Sequence, residues 1–354
     1  MEAPQYVTFD KDLTSIVKGF AVIFMMLLHC YCPDNYDVLL DYRYALVDTI
    51  RSSFKICVGI FVFLVGYGYA FSKTKDLHYS LQHIKKLLIP FWTILFIFTL
   101  PFCFDAFINK GFKIAVFNLF GIDSCFNYYS WFVYFYIYAM CVMPFVSKFI
   151  DKNPKGNTII VIVLASFLMV VVHEIPRCLS FIDIIIPETV DNKPHLALFN
   201  CLMMTPLMVL GYLFAKQDYY ERIKLTSISR CTTIVVCPLV VVACLVMKHL
   251  TSFLWNAFVD LFYAPLIIGA IVVFFNKFKC PHFRKTMAKI GEVSVYMWFF
   301  HALYYTKAVR WFYQQAITIF HDINLVVLWA IVLTFFVSWL IKSLVDSVNK
   351  SLFS

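Results

Sequence analysis

The chain has 354 residues, of which 62% are hydrophobic, 19% aromatic and only 14% charged. This composition excludes a soluble globular domain and indicates a polytopic membrane protein, because apolar segments of about 20 residues recur from one end of the chain to the other. The net charge of +9 is explained by basic residues held at the inner membrane surface, so no nucleic-acid partner is expected.

Ten apolar segments are long enough to cross a bilayer, and the connections between them are too short for a folded extramembrane domain. In chain order they are about 13–32, 50–72, 87–106, 130–149, 157–173, 197–215, 231–248, 254–275, 291–308 and 324–345. We therefore expect an all-α transmembrane helical bundle formed by residues 1–354 as one domain, without a fused extracellular domain. The first segment is longer than the apolar part of a signal peptide and is expected to be a retained helix.

The distribution of basic residues predicts how the chain is oriented in the membrane. With the N-terminus inside, 19 of the 30 lysines and arginines fall in inner segments and 9 in outer segments. Lys18 and Lys55 lie within predicted helices. Because lysines and arginines concentrate in cytoplasmic loops, both termini are predicted to be cytoplasmic, in a multi-pass protein of the cell membrane.

Motifs of soluble enzymes and of metal sites are missing from the sequence. The twelve cysteines include no C-x-x-C pair, and most of them lie within apolar segments, where small residues pack between helices. There is no Gly-rich phosphate loop, no H-E-x-x-H and no G-x-S-x-G. We therefore expect no metal cofactor.

The first apolar segment carries two ionisable side chains, Lys18 and His29, that are 11 residues apart. This spacing is about three helical turns, so both project from one face, separated by about 16 Å along the axis. An extended pantetheine arm with phosphates at one end and a thioester at the other has a comparable reach. In the alternative interpretation, Lys18 extends to the inner headgroups and His29 caps the outer end of the helix.

Five stretches resemble, in the same order, motifs of the integral-membrane acyltransferase family called acyltransferase 3. They are SIVKGFAVIFMMLLHCY (15–31), KICVGIFVFLVGYGYAF (55–71), IKKLLIPFW (84–92), SWFVYFYIYAMCVMP (130–144) and GEVSVYMWFFH (291–301). The chain departs from the usual pattern at Lys18, where many members have arginine, and at Val65, where serine is usual. Lysine keeps the charge but loses the bidentate contact that arginine makes with phosphate.

The resemblance implies transfer of an acyl group, usually acetyl from acetyl-CoA, to a hydroxyl of an extracytoplasmic or lipid-linked glycan. It also implies that the acyl group is either delivered to the glycan directly or handed to a separate extracytoplasmic transferase or polysaccharide-assembly protein. The imidazole of His29 suits either of two roles, taking a proton from the acceptor hydroxyl or carrying the acyl group. The sequence does not distinguish between them.

Three further residues are candidates for this chemistry. His301 lies ten residues into the ninth predicted span, which places it in the outer half beside His29; alternatively it is a histidine satisfied by a neighbouring helix. Lys85 and Lys86 precede the third span, where they are expected to contact CoA phosphates or to anchor the helix at the inner surface. Trp298 shares a face with His301 and is interpreted as packing.

Asp48, Arg51 and Lys55 form an i, i+3, i+7 stripe that enters the second span from outside. They are expected either to orient the acceptor or thioester carbonyl or to pair with one another. Asp260 lies within the eighth span and requires a partner, for which one of these cations or a histidine is expected. A transporter or flippase for a lipid-linked glycan shares the many spans and buried charges and stays open as an alternative, as does a non-catalytic scaffold.

Overall fold

The described part of the chain is helical and forms the all-α bundle that the composition predicts. The structure, a computed structural model, describes residues 5–32, 35–36, 49, 51–152, 164, 194–252 and 256–353. The helices are α1 (Lys11–Cys30), α2 (Ile56–Ala70), α3 (Leu77–Ile94), α4 (Phe104–Asn109), α5 (Phe112–Leu119), α6 (Trp131–Lys152), α7 (Pro194–Lys216), α8 (Arg230–Leu250), α9 (Asn256–Lys277), α10 (Pro281–Glu292), α11 (Ser294–His301), α12 (Arg310–Ile317) and α13 (Ile323–Phe353).

Seven helical segments within these residues are long and apolar enough to cross a membrane. They are Lys11–Cys30, Arg51–Ala70, Leu77–Phe102, Trp131–Lys152, Arg230–Leu250, Phe258–Lys277 and Ile323–Val348. A shorter apolar helix covers Cys201–Lys216. The span predicted at 157–173 lies outside the described residues. The protein is therefore polytopic, and the number of ten spans with both termini inside stays a prediction.

The predicted ninth span, 291–308, differs from the helices observed there. Helix α10 begins at Pro281 and ends at Glu292, and the non-helical residue Val293 separates it from α11. Helix α10 is amphipathic, with an exposed basic face, whereas every residue of α11 is apolar or buried. The amphipathic helix thus ends where the buried helix begins, and a sequence window centred on the apolar part does not detect this interruption.

The crossing of α1 and α10 fixes where α11 lies. A Cβ atom added to Gly19 would lie 2.3 Å from the Met287 carbonyl oxygen, and one added to Gly291 would lie 1.7 Å from the Ser15 carbonyl oxygen. Glycine at both positions lets the two backbones approach closely, as small residues do between membrane helices. The chain after α10 consequently runs beside the second half of α1.

The bundle has two ends that differ in character. We name the end that holds the N-terminus of α1 the basic end and the end at the C-termini of α1 and α11 the histidine end. At the basic end Asp151 binds Lys75 at 3.0 Å and Lys216 at 3.3 Å, which ties the connection before α3 to α6 and α7. The side chain of Asp10 accepts a hydrogen bond from Leu13 N at 2.9 Å and begins α1 there.

Candidate active site

Two histidines from distant parts of the chain meet at the histidine end. His29 lies in the last turn of α1 and His301 is the last residue of α11. His29 Nδ1 is 2.8 Å from His301 Nε2, and the two ring planes differ by 10°. His301 is fully buried, whereas His29 is half-buried. The structure therefore places both candidate histidines at one depth and in direct contact.

The hydrogen bonds of this pair define which ring nitrogen carries a proton when both rings are neutral. His301 Nδ1 lies 3.1 Å from the carbonyl oxygen of Met297, which can only accept. His301 Nδ1 is thus the protonated nitrogen, and its Nε2 accepts from His29 Nδ1–H. His29 Nε2 is left with its lone pair, which is the form needed to accept a proton or to attack a carbonyl carbon.

Tyr129 covers both imidazoles. Its ring centroid is 3.6 Å from that of His29 and 5.2 Å from that of His301, with interplanar angles of 12° and 3°. The Tyr129 carbonyl oxygen accepts a hydrogen bond from Trp298 Nε1 at 3.0 Å. Sequence reasoning gave no tyrosine a role, because the chain contains 21 of them. The one available signal was that Tyr129 directly precedes the stretch that begins at Ser130.

The connection between α5 and α6, which carries this stacking tyrosine, is held to the segment around His301 by two further bonds. Asn127 Nδ2 donates to the Phe299 carbonyl oxygen at 3.0 Å, and the Tyr128 backbone N–H donates to Thr306 Oγ1 at 3.0 Å. Burial raises the pKa of the Cys125 thiol in the same connection to about 12, so it stays protonated at neutral pH. The connection is thus a fixed wall of the site.

A cavity of about 810 Å³ opens at the basic end. Its polar lining includes the basic side chains of Lys11, Lys18, His83 and Lys86, and one carboxylate, that of Asp10. Aromatic and aliphatic side chains from α2, α3 and α6 complete the wall. A partly apolar cavity of this size with a few converging polar groups is typical of a site for a small-molecule ligand.

Comparison with known proteins identifies the family. A family model described as an acyltransferase domain matches residues 15–343, nearly the whole chain. The chain belongs to the acyltransferase 3 family. No curated protein and no solved structure matches it. The protein is therefore a membrane acyltransferase, and the resemblance that the five sequence stretches indicated is confirmed.

In this acyltransferase the predicted basic residues of the donor site separate into two groups. Lys18 and Lys86 both line the cavity, and the half-buried Lys18 lies deeper along α1 than Lys11. Lys85 is exposed and does not line the cavity among the described residues. Helix α3 begins at Leu77, a full ten residues before the predicted start of the span, so both lysines lie within the helix rather than before it.

The predicted stripe in the second span is only partly described. Asp48 lies outside the described residues. Arg51 Nη1 donates to Cys32 Sγ at 3.4 Å, which places it near the end of α1, and the half-buried Lys55 interrupts the helix just before α2. Neither cation lines the cavity at the basic end within the described part of the chain.

Asp260 has a partner that sequence reasoning did not assign. Its Oδ1 atom bonds Lys248 Nζ, and both side chains are almost fully buried. The expectation that a cation of the 48–55 stripe or a histidine pairs with Asp260 is therefore wrong. The span predicted at 231–248 ends at Lys248, whereas α8 extends to Leu250 and holds this lysine within the helix. A buried charge within a membrane span is stable only when it is paired.

Within the described residues 5–32, 35–36, 49, 51–152, 164, 194–252 and 256–353, no group of three or more His, Cys, Asp or Glu side chains could hold a metal ion. That the reaction needs no metal stays a prediction. The groups available for chemistry at the histidine end are the His29–His301 pair and the tyrosines around it.

Proposed function

We propose that this acyltransferase moves an acetyl group from cytoplasmic acetyl-CoA to a hydroxyl of an extracytoplasmic or lipid-linked polysaccharide, in the cell membrane. The observation that carries the proposal is the position of the cavity and the histidine pair at opposite ends of α1. Lys18 lines the cavity and His29 belongs to the histidine pair. The two residues are 11 positions apart, which is about 16 Å along the helix axis.

The cavity supports acyl-CoA as the donor. Lys18 and Lys86 bring ammonium groups to the cavity wall, and charge-assisted hydrogen bonds to phosphate are among the strongest polar contacts. An extended pantetheine arm that follows α1 from Lys18 would bring its thioester to the depth of His29. The excess of lysine and arginine in the predicted inner segments supports a cytoplasmic position for the basic end.

The histidine pair supports transfer from a thioester to a hydroxyl. His29 Nε2 takes the proton of the acceptor hydroxyl, whose oxygen forms a bond to the thioester carbonyl carbon. The C–S bond then breaks, and the leaving thiolate takes the proton from His29. In the second route, His29 Nε2 attacks the carbonyl carbon itself, the C–S bond breaks and the thiolate leaves. The acceptor oxygen then takes the acetyl group from Nε2, and the proton of the hydroxyl ends on the thiolate. Both routes begin from the same lone pair.

The acceptor side of the site is expected at the histidine end. Arg51 and Lys55 stand near this end as candidate contacts for a glycan, and Asp48 belongs to the same predicted stripe. The acetyl group is delivered either to the glycan directly or to a separate extracytoplasmic transferase or polysaccharide-assembly protein. Membrane lipid surrounds the protein throughout.

The test is transfer by the purified protein in nanodiscs, supplied with radiolabelled acetyl-CoA and with the surface glycan fraction of its own cell. The expected result is labelled glycan, which also appears as O-acetyl signals in the proton NMR spectrum of glycan from cells that contain the protein. His29→Gln should abolish the labelling. His321→Gln serves as the matched control, because His321 is exposed and does not belong to the histidine pair. Unlabelled glycan with folded wild-type protein would favour a transporter or flippase for a lipid-linked glycan.

A further inference from the structure

Three aromatic side chains, Phe61, Phe132 and Trp298, pack against one another between the cavity and the histidine pair; we name them the aromatic barrier. The Trp298 ring is 4.7 Å from that of Phe132 and 5.2 Å from that of Phe61, and the two phenyl rings are 6.1 Å apart. All three side chains are at least nine-tenths buried. Rings at these distances are in contact, so no passage runs between them.

The order of residues along α11 shows what the barrier separates. Ser294 and Val295 line the cavity, as Phe61 and Phe132 do. Trp298 lies about 4.5 Å farther along the helix than Val295, and His301 lies about 4.5 Å beyond Trp298. Among the described residues, the cavity lining includes neither Trp298 nor a histidine of the pair. The direct path along α11 from the cavity to the histidine pair therefore runs through the barrier.

The members of the barrier differ in how firmly they are held. Trp298 Nε1 donates a hydrogen bond to the Tyr129 carbonyl oxygen at 3.0 Å, which fixes the indole to the wall of the site. The phenyl rings of Phe61 and Phe132 carry no polar group, so only packing holds them. Displacement of one phenyl ring would leave a gap of about one ring thickness, roughly 3.5–4 Å, the separation of carbon atoms in van der Waals contact.

We propose that the aromatic barrier selects acyl groups by their width. The inference rests on the proposed function, because it assumes that acyl-CoA enters from the basic end. A slot one ring thick admits a straight chain, such as an unbranched acyl group with the cysteamine and β-alanine segments that follow the thioester. An acyl group that branches at the carbon next to the carbonyl is wider and requires two rings to move. Phe61 and Phe132 are thereby specificity-determining residues, and Trp298 is the fixed side of the slot.

Butyryl-CoA and isobutyryl-CoA test this proposal, because their acyl groups have the same atoms and differ only in branching. The quantity measured is the ratio of kcat/KM for isobutyryl-CoA to that for butyryl-CoA. In Phe61→Leu and Phe132→Leu we expect this ratio to rise about tenfold or more, since one misplaced methyl group in a tight site is worth about 10- to 200-fold.

Phe299→Leu is the matched control. Phe299 is a buried phenylalanine next to Trp298, but its ring packs on Phe91, 5.0 Å away, and does not belong to the barrier. Its replacement should leave the ratio within twofold of that of the wild type. A ratio that stays within twofold in both barrier variants, or that rises equally in the control, would overturn the proposal.

A second measurement does not depend on catalysis. Cys30 adjoins His29, is fully buried, and accepts a hydrogen bond from Tyr305. In proteoliposomes sorted to one orientation, n-butyl or benzyl methanethiosulfonate is added on the side of the basic end, with free cysteine as a scavenger on the other side. Each reagent forms a mixed disulfide with Cys30 as methanesulfinate leaves, and peptide mass spectrometry gives the two rates. Each rate is divided by the rate with free cysteine. We expect the benzyl reagent to be disfavoured in the wild type and in Phe299→Leu, and this preference to fall about tenfold in Phe61→Leu and Phe132→Leu.

The two measurements separate the two proposals. Equal access of both reagents to Cys30 in the wild type and in the barrier variants overturns selection by width, whether or not the protein transfers an acyl group. Width-dependent labelling in a wild-type protein that consumes no acyl-CoA overturns the proposed function and leaves the barrier as a selective passage.

Discussion

Replacing His301 by alanine tests whether this residue positions His29. The change removes the acceptor of the His29 Nδ1–H hydrogen bond, which spans 2.8 Å. A buried donor without a partner costs about 1–3 kcal/mol, and the His29 ring can avoid that cost by turning over or by moving its proton to Nε2. Either change removes the lone pair from the reacting position, so kcat should fall about 5- to 150-fold, at about 1.4 kcal/mol for each factor of ten.

His301→Gln is the conservative variant that separates positioning from simple loss of packing. Its amide oxygen can accept from His29 Nδ1–H, while its NH₂ group donates to the Met297 carbonyl oxygen that His301 uses now. His301→Gln should therefore recover much of the activity that His301→Ala loses. His29→Gln removes the reacting nitrogen itself and should lower kcat by about 10²–10⁴-fold.

The assay is transfer of labelled acetyl groups at several acetyl-CoA concentrations, with the amount of folded protein measured by size-exclusion chromatography in detergent. The KM for acetyl-CoA should stay near the wild-type value in both His301 variants, because the cavity at the basic end is unchanged. Wild-type kcat in His301→Ala would refute the positioning role. An equal loss in His301→Gln and His29→Gln would show that His301 itself reacts.

Four further results are expected. Lys18→Ala should raise the KM for acyl-CoA by about tenfold or more at nearly constant kcat, because a hydrogen bond to a charged group is worth about 1.5–3 kcal/mol, whereas Lys18→Arg should keep it low. Gly291→Ala should lower kcat, measured at increasing acceptor concentrations, by about 10²-fold. The added Cβ atom would lie 1.7 Å from a carbonyl oxygen of α1, so α1 and α10 would have to move apart and the two histidines with them. Lys248→Met alone should destabilise the protein by about 3–5 kcal/mol in chemical denaturation, and adding Asp260→Leu should restore stability. A reporter that is active only outside the membrane should give no signal when it is fused to Ser354, and a strong signal would overturn the predicted topology.

The sequence was sufficient for features that depend on one helix at a time. Composition and apolar segments predicted the all-α bundle, and the spacing of Lys18 and His29 predicted that they share a face of α1. The five stretches predicted the family that the match over residues 15–343 shows. Each of these inferences uses only the helical period or the order of local motifs, so none requires knowledge of which helices are neighbours.

Features that depend on contacts between distant segments were missed. Tyr129 stacks on His29 although the two are 100 positions apart, and nothing in the local sequence distinguishes it from other tyrosines. The partner of Asp260 was expected among the cations of the 48–55 stripe or the histidines, whereas it is Lys248, which lies buried within α8 because that helix extends to Leu250. The division between α10 and α11 at Val293 was missed because the apolar window joins them.

The chemical nature of the second histidine follows from the environment of the pair. In the described part of the chain neither imidazole bonds to a carboxylate; His301 is held by the Met297 carbonyl oxygen instead. A carboxylate placed there would bring a permanent charge into a buried part of a membrane protein, which costs several kcal/mol unless a cation accompanies it. A neutral imidazole accepts the hydrogen bond from His29 Nδ1–H without the cost of a buried charge. The pair carries a positive charge only while His29 holds the proton of the acceptor hydroxyl. Tyr129 stacks on both rings and His301 is fully buried, so the hydrogen bond between the rings lies in a setting of lower polarity than water, where it is stronger than in a fully solvated site.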